Sequence, residues 1–232
     1  MDIKKSNFDL HGDIKSHLIA LLSETKNFVH TYQYAECDLF NAEIEYIRHR
    51  QDLTIGINDG FETLHTMQKY NIQPQNKLRS GTKNYRKKHY LNGSLKKIES
   101  FVDGSLDVYF WAAYNNSKRY LIPFSKPHVL YPTYTHVWNE CEDIIEEYMV
   151  DNNQIVYYRY KKTSENTYDF LYINYIPNGT YPVNCIETGT FEISDKITYT
   201  EKQHYDWYME FDAYRKNLPF TAPEIPMLNQ NL

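Results

Sequence analysis

The sequence predicts an α+β fold in which helices pack on one face of an antiparallel meander sheet. Three turn signals, Asn92-Gly93, Asp103-Gly104 and Asn115-Asn116, separate strand-like runs at nearly constant intervals. Asn-Gly and Asp-Gly suit the positive φ angles of two-residue hairpin turns. Segments with helical periodicity lie on both sides of this meander. Because no linker-like stretch divides the chain, we expect a single domain over residues 1–232.

The N-terminal part, residues 12–72, is expected to be helical. Apolar residues at helical spacing predict a first helix over Ile14–Val29. A second helix is predicted through Leu39–Ile47, and a third between Asn58 and Tyr70. A polar loop that begins near Pro74 then leads into the meander.

The sheet and its remaining helices are expected over residues 83–218. The segment His136–Met149 places apolar residues on one stripe and acidic residues on the opposite one, which predicts an amphipathic helix. A β-rich hairpin follows, and after it a strand pair that divides near Thr188-Gly189. The last helix is predicted over Glu201–Leu218, before an extended tail at residues 219–232.

Composition places the chain among folded proteins. Its 232 residues are 41% hydrophobic and 16% aromatic, with a formal net charge of −5. This balance does not by itself predict nucleic-acid binding. No run approaches the roughly 18 apolar residues of a membrane span, and the first residues lack the apolar region of a signal peptide. Three widely spaced cysteines indicate free thiols, so we expect a cytoplasmic protein without membrane contact.

A basic hairpin is the first candidate binding surface. No acidic residue occurs from Thr63 to Ile98. If both hairpin turns contain two residues, Lys88 lies opposite Lys97. Like charges directly opposite each other destabilise a strand pair in a core, so we expect this half of the hairpin to face solvent, either to protect an edge strand or to bind a partner. The candidate residues are Arg86, Lys87, Lys88, Lys96 and Lys97.

The acidic stripe of the predicted helix His136–Met149 is the second candidate surface. Carboxylates on a regular helix face are often simply solvated, but a stripe of one charge also suits a basic partner. The candidate residues are Glu140, Asp143, Glu147 and Asp151.

Catalytic and cofactor motifs are missing from the sequence. The nine histidines form no His-x-x-x-His pair, and there is no Cys-x-x-Cys and no glycine-rich phosphate loop. We therefore predict no catalytic residues, no metal and no cofactor, and hence no enzyme. A deep pocket with converging titratable groups would instead indicate an enzyme of an unfamiliar type.

Two neighbouring copies of a short pattern occur within the meander. Tyr90, Asn92, Gly93 and Leu95 form the first copy, and Phe101, Asp103, Gly104 and Leu106 form the second. This segment of about twenty residues resembles the MORN-like repeats of bacterial antitoxin and immunity proteins. The resemblance implies a cytoplasmic protein that neutralises a cognate toxin by binding it, without catalysis of its own.

The leading hypothesis is therefore a non-enzymatic, immunity-like protein that binds a protein partner such as a toxin. The alternative is an accessory protein that binds nucleic acid through the basic stretch at residues 77–97, where cations interleave with aromatic rings.

Overall fold

A single antiparallel sheet forms most of the protein. The computed structural model describes residues 9–10, 12–33, 37–48, 61–125, 129–130, 134–216 and 218–219. Twelve strands belong to one sheet, accompanied in these ranges by three helices. The elements are α1 (Gly12–Thr31), β1 (Glu43–Arg48), α2 (Phe61–Lys69), β2 (Tyr85–Leu91), β3 (Ser94–Val102), β4 (Ser105–Asn115), β5 (Lys118–Ser125), β6 (Val129–Leu130), β7 (Thr135–Cys141), β8 (Ile144–Asp151), β9 (Gln154–Lys162), β10 (Thr167–Tyr175), β11 (Val183–Ile193), β12 (Ile197–Asp206) and α3 (Trp207–Arg215).

The predicted meander is confirmed and extends far beyond the central hairpins. Strands pair in the order β1-β2-β3-β4-β5-β7-β8-β9-β10-β11-β12, with the short β6 beside β5. At two of the predicted turns, φ is 52° at Asn92 and 72° at Gly93, and 50° at Asp103 and 80° at Gly104. Both residues of each turn therefore adopt the left-handed conformation that type I′ hairpins require. The protein is accordingly mostly β.

Two β-bulges change the register that turn counting predicts. The pairs nearest the turns, Tyr90 with Leu95 and Phe101 with Leu106, are confirmed. The first bulge adds Lys96 to β3, between the pairs Tyr90–Leu95 and His89–Lys97. The second adds Asp107 to β4, between the pairs Phe101–Leu106 and Ser100–Val108. Each bulge adds one residue to one strand, so every later pair moves by one position.

The shifted register separates the cations that were expected to face each other. Lys88 lies opposite Ile98 rather than Lys97, and Arg86 lies opposite Ser100. In a strand, a shift of one residue also transfers a side chain to the opposite face of the sheet. The bulge in β3 thus avoids the unfavourable lysine pair and places Lys97 on the face of the sheet opposite to Lys88.

The predicted helix His136–Met149 is wrong, because this segment forms β7, a turn and β8. The chain reverses at Glu142, where φ is 51°. Val137 pairs with Tyr148, and these two side chains and Val150 are at most 1% exposed. The apolar positions satisfy a period of two as well as a helical stripe, and strands β5 and β9 on either side supply the hydrogen bonds that favour a strand.

Three further boundaries differ from the predictions. The segment through Ile47 forms strand β1 instead of a helix, and the last helix begins only at Trp207, because Glu201 to Asp206 continue β12. The predicted division at Gly189 is also wrong, since β11 runs through it. A Cβ at Gly189 would collide with the carbonyl oxygen of Glu201, so this glycine permits close approach of two strands and does not make a turn.

Helix α1 packs on one face of the sheet, which we call the α1 face. The predicted first helix is confirmed, and its buried apolar residues join the main hydrophobic core, together with Tyr148 and Tyr157 of the sheet. The buried apolar residues are Ile14, Leu18, Leu21, Leu22 and Val29.

Helix α2 packs on the opposite face, which we call the α2 face. This helix confirms the described part of the third predicted helix, whose residues 58–60 lie outside the described ranges. Phe61 contacts the ring of Tyr160 with centroids 4.9 Å apart. Tyr157 and Tyr160 lie an odd number of residues apart in β9, so they point to opposite faces. The expectation that the helices pack on one face is therefore wrong for α1 and α2.

The same helix reaches both ends of the sheet. Met67 packs against Ile47 of β1, while Gln68 Oε1 accepts a hydrogen bond of 2.9 Å from the Ile197 N–H of β12. At about 4.8 Å per strand, a flat sheet of this size would hold its first and last strands roughly 45 Å apart. The sheet therefore curls, and α2 connects its two edge strands through side chains.

Two further expectations concern the chain ends and the membrane. The predicted extended tail at residues 219–232 lies outside the described residues except for Pro219. Among the described residues, no helix combines the length and the apolar character needed to cross a bilayer.

Candidate functional site

The basic hairpin, β2 and β3 with their Asn92-Gly93 turn, buries two of its candidate cations. Arg86 and Lys88 point to the α2 face, where they are only 7% and 3% exposed. Lys88 Nζ lies 4.0 Å from a carboxylate oxygen of Glu45 on β1. The expectation of a solvent-facing surface is therefore wrong for Arg86 and Lys88, which lie on the same face of β2 as Tyr90. Lys88 has the buried Ile98 opposite it.

Two of the three remaining candidate cations, Lys87 and Lys97, converge with His89 on one carboxylate on the α1 face. Glu99 lies 2.8 Å from Lys97 Nζ, 2.9 Å from His89 Nε2 and 3.7 Å from Lys87 Nζ. The hydrogen bond from His89, followed by that from Lys97, lowers the pKa of Glu99 to about 2 against the opposing effect of burial. Glu99 and Glu45 thus compensate part of the positive charge of the hairpin within the sheet.

Exposed cations of the acid-free stretch lie mainly before the hairpin. Lys77, Arg79 and Lys83 are exposed in the loop that leads into β2. Within the hairpin, Lys96 is partly exposed, with its Nζ 5.5 Å from the ring centroid of Tyr114. A polyanion would therefore meet the loop more readily than the strands.

The four candidate acidic residues do not form one surface. Glu140 and Asp143 are exposed at the turn between β7 and β8, whereas Glu147 is 6% exposed and points to the α2 face. Asp151 lies at the other end of β8, about 13 Å along the strand from Glu147. The expected continuous acidic stripe is wrong because it required a helix.

An acidic tip nevertheless exists, formed by Glu140, Glu142 and Asp143. All three are exposed at the β7–β8 turn, and among the described residues none of them takes part in an ion pair. The N–H of Lys162 donates a hydrogen bond of 2.8 Å to the carbonyl oxygen of Asp143. The backbone of the tip is thus attached to β9 while its carboxylates remain in solvent.

A buried pair of nitrogen-bearing side chains lies on the α2 face. Arg86 Nε and Nη1 and His136 Nδ1 are buried and have no hydrogen-bond acceptor in the part of the chain that the structure describes. Burial, reinforced by the nearby guanidinium of Arg86, lowers the pKa of His136 to about 3. The imidazole is therefore neutral at pH 7, and the pair offers donors to an anionic group.

A carboxylate network fixes α1 to strands β7 and β8, which with the turn between them we call the acidic hairpin. Glu146 accepts hydrogen bonds of 2.7 Å from Tyr157 Oη and 3.1 Å from Asn139 Nδ2, and lies 2.7 Å from His17 Nε2 of α1. Burial alone would raise the pKa of Glu146, but these contacts, led by His17, lower it to about 2. This carboxylate therefore serves the docking of α1.

A cluster on the α2 face of β11 and β12 was not predicted from the sequence. Cys185 Sγ lies 3.8 Å from His204 Nδ1, which lies 2.9 Å from Glu187 Oε1. His204 Nε2 in turn lies 3.3 Å from Asp206 Oδ2. Burial, with the carboxylates of Glu187 and Asp206, raises the pKa of the Cys185 thiol to about 11. A neutral thiol is a weak nucleophile, so a Cys–His–Asp catalytic triad is not favoured.

The sequence did not predict this cluster because its residues come from two different strands, β11 and β12. The patterns Cys-x-Glu and His-x-Asp have the period of two that places side chains on one face of a strand. Only the register, in which Glu187 pairs with His204 and Cys185 with Asp206, brings the two patterns together.

Comparisons with known proteins identify no relative. No protein-family model, no curated protein and no solved structure matches the chain.

Proposed function

We propose that this chain is a non-enzymatic protein-binding module that neutralises a bacterial effector by direct contact, as immunity and antitoxin-like proteins do. The acidic tip carries this proposal. Its three carboxylates are exposed together at the β7–β8 turn. Among the candidate cations of the basic hairpin, Arg86 and Lys88 are buried, Lys87 and Lys97 lie beside Glu99, and Lys96 is partly exposed beside Tyr114. The exposed charge that the candidate residues of these two hairpins offer to a macromolecular partner is therefore mainly negative.

The partner that fits this surface is a basic protein. Complementary charge accelerates association and determines register, and it excludes partners of like charge. The turn projects from the end of two hydrogen-bonded strands and is attached to β9, so little backbone order would be lost on binding. A cytoplasmic location belongs to the same proposal and is supported by three cysteines that form no disulfide.

The test begins with the partner. The tagged full-length chain should retain a basic protein from native lysate, and that protein, purified, should bind the chain in a salt-dependent manner. Charge reversal at the tip, Glu140→Lys with Asp143→Lys, should weaken this binding at least tenfold and flatten its dependence on salt. Expression of the wild-type chain, but not of this variant, should protect cells from the captured protein.

A matched control changes the same amount of charge elsewhere. Glu165 and Asp195 are also exposed in turns between strands, and Glu165→Lys with Asp195→Lys should leave affinity within about twofold. Equal affinities of both double variants would remove the acidic tip from the interface. Retention of nucleic acid alone would overturn the protein-binding function.

Nucleic-acid binding is the second candidate, supported by the exposed loop cations Lys77, Arg79 and Lys83. Neutralising all three to Gln should reduce the slope of log affinity against log salt by roughly 2 to 3, since each phosphate contact releases about 0.7 to 0.9 counterions. The matched control neutralises Lys161 and Lys162, which are exposed on β9. No gel shift of the wild-type chain at low salt would exclude this function.

A further inference from the structure

The cross-strand cluster on β11 and β12 has the composition of a metal site. Cys185, Glu187 and His204 each offer one ligand atom, and these three atoms all lie within 4.8 Å of one another. They combine a thiol, a carboxylate and an imidazole, and all three side chains emerge from adjacent strands on the same face. The hydrogen-bonded strands thus hold the ligands without help from a loop.

We propose that Cys185, Glu187 and His204 bind a divalent transition metal of the zinc class. Thiolate and imidazole ligands select such metals over calcium and magnesium, which prefer sites made entirely of oxygen. Bonds of about 2.0 to 2.3 Å in a tetrahedron place ligand atoms roughly 3.3 to 3.7 Å apart. The Sγ–Nδ1 distance of 3.8 Å and the Nδ1–Oε1 distance of 2.9 Å bracket this range, so small side-chain rotations suffice.

The surroundings of the cluster orient two of the ligands. Asp206 Oδ2, 3.3 Å from His204 Nε2, stabilises a proton on Nε2 and leaves the Nδ1 lone pair directed at the cluster, in the carboxylate–histidine–metal arrangement common in proteins. Lys202 Nζ lies 2.7 Å from Glu187 Oε2, which leaves Oε1 for the metal. Coordination displaces the thiol proton of Cys185 to solvent and forms the metal–sulfur bond.

Three protein ligands leave one position of a tetrahedral metal open. His204 is 42% exposed and Glu187 is 22% exposed, so water or a group from a partner can reach that position. Structural zinc sites usually contain four protein ligands, whereas an open position is typical of sites that bind an exogenous ligand. The site is therefore an accessible one, and it does not depend on the partner-binding function proposed above.

Cobalt substitution tests the site in the intact chain. With the cysteines reduced, Co²⁺ should bind one ion per chain and produce a near-ultraviolet thiolate-to-cobalt absorption that Zn²⁺ abolishes by displacement. Cys185→Ser should remove this absorption and weaken Co²⁺ binding at least tenfold. Cys141→Ser is the matched control, because Cys141 is an exposed free thiol on another strand, and this variant should behave as wild type.

Two further measurements separate binding from folding. Zn²⁺ should raise the Tm of the wild-type chain and of Cys141→Ser but not of His204→Gln, and Asp206→Asn should weaken Zn²⁺ binding roughly 10-fold to 100-fold by loss of orientation. His204→Gln provides the ligand-deletion result if Cys185→Ser does not fold. Absence of the thiolate absorption in the wild type, or its persistence in Cys185→Ser, would overturn the proposal.

Discussion

The basic hairpin and the acidic hairpin are similar in sequence, since each concentrates one charge around a two-residue turn. In the folded protein, most candidate cations of the basic hairpin are buried or ion-paired, whereas the carboxylates of the acidic tip are exposed. Arg86 and Lys88 lie in mid-strand and are buried, while Lys87 and Lys97 lie beside Glu99. Glu142 and Asp143 instead form the turn itself, Glu140 lies near the end of β7, and all three stay exposed.

The position of a charge along a strand explains this difference. Both hairpins lie inside the sheet, with neighbouring strands on either side. A charged residue in mid-strand is covered from above or below and requires a counter-charge, because burial of an unpaired charge is costly. A residue in the turn extends past the last hydrogen-bonded pair and reaches solvent. Charge segregation in a sequence therefore does not by itself identify a binding surface.

The largest expected effect concerns low pH. Acid should reduce the free energy of unfolding through the compensated carboxylates Glu99 and Glu146, but not through the exposed carboxylates of the tip. The pKa of Glu99 and of Glu146 falls from 4.5 to about 2 in the folded protein. Because folding lowers these pKa values, their stabilisation is complete above pH 4.5 and is lost as the pH falls toward 2. At about 1.4 kcal/mol per pKa unit, these two decreases correspond to roughly 7 kcal/mol, which solvent screening of the partly exposed Glu99 reduces to on the order of 5 kcal/mol.

The measurement is the free energy of unfolding in urea as a function of pH. Glu99→Gln with Glu146→Gln should remove most of the decline between pH 4.5 and 2. Neutralising the tip by Glu140→Gln, Glu142→Gln and Asp143→Asn should leave the decline unchanged. If the tip variant also reduced the decline of the free energy of unfolding with falling pH, the exposed carboxylates would have to be stabilised by cations as well.

The second largest effect should come from truncating one apolar residue in each hairpin, measured as the loss in the free energy of unfolding. Ile98, opposite Lys88 in the basic hairpin, is 0% exposed, so Ile98→Ala should reduce the free energy of unfolding by about 3 kcal/mol. Ile145, opposite Glu140 in the acidic hairpin, is only partly buried, and Ile145→Ala should cost about 1 kcal/mol. Equal losses in chemical denaturation would contradict the difference in burial.

Removal of one compensating carboxylate should have a smaller effect. At pH 7, Glu99→Gln leaves His89, Lys87 and Lys97 without their counter-charge, and we expect a loss of roughly 2 kcal/mol in the free energy of unfolding. Glu142→Gln changes an exposed tip residue and should stay within about 0.5 kcal/mol of wild type. A loss below 1 kcal/mol for Glu99→Gln would show that solvent already screens the cluster.

Substitutions in the two turns should give the smallest difference in stability. The basic hairpin turns at Asn92-Gly93, which suits positive φ, whereas the acidic hairpin places Glu142 at a φ of 51°. Glu142→Asn should therefore stabilise the protein by about 0.5 kcal/mol, and Asn92→Glu should destabilise it by a similar amount. Thermal unfolding of the two variants compares them directly, and a loss of Tm in Glu142→Asn would contradict the assigned strain.

Turn chemistry explains which parts of the fold could be predicted. Asn92-Gly93 and Asp103-Gly104 specify hairpins locally, and the apolar spacing of α1 specifies its buried side. The segment His136–Met149 satisfied two periods at once, and the choice between them depended on strands β5 and β9, which lie outside the segment. Local sequence cannot report hydrogen bonds offered by other strands.

The candidate sites were less predictable for a related reason. The bulge in β3 removes Lys97 from its predicted position opposite Lys88, and no residue type marks the position of this bulge. Glu140 and Asp143 are exposed as expected, but because they lie near the end of β7 and in the turn that follows it, and not on a helix. The Cys185 cluster depends on the pairing of β11 with β12, which sequence spacing alone does not determine.

The contact of α2 with both edge strands has a consequence for synthesis on the ribosome. Gln68 and Ile197 are separated by 129 positions, and translation at about 5 to 20 residues per second takes roughly 6 to 26 s to cover that distance. Until Tyr160 of β9, Tyr168 of β10 and Phe191 of β11 have been synthesised in turn, Phe61 lacks these ring contacts. Nascent chains arrested before β9 should therefore expose α2 to protease and to chaperones, and chains released after β12 should protect it.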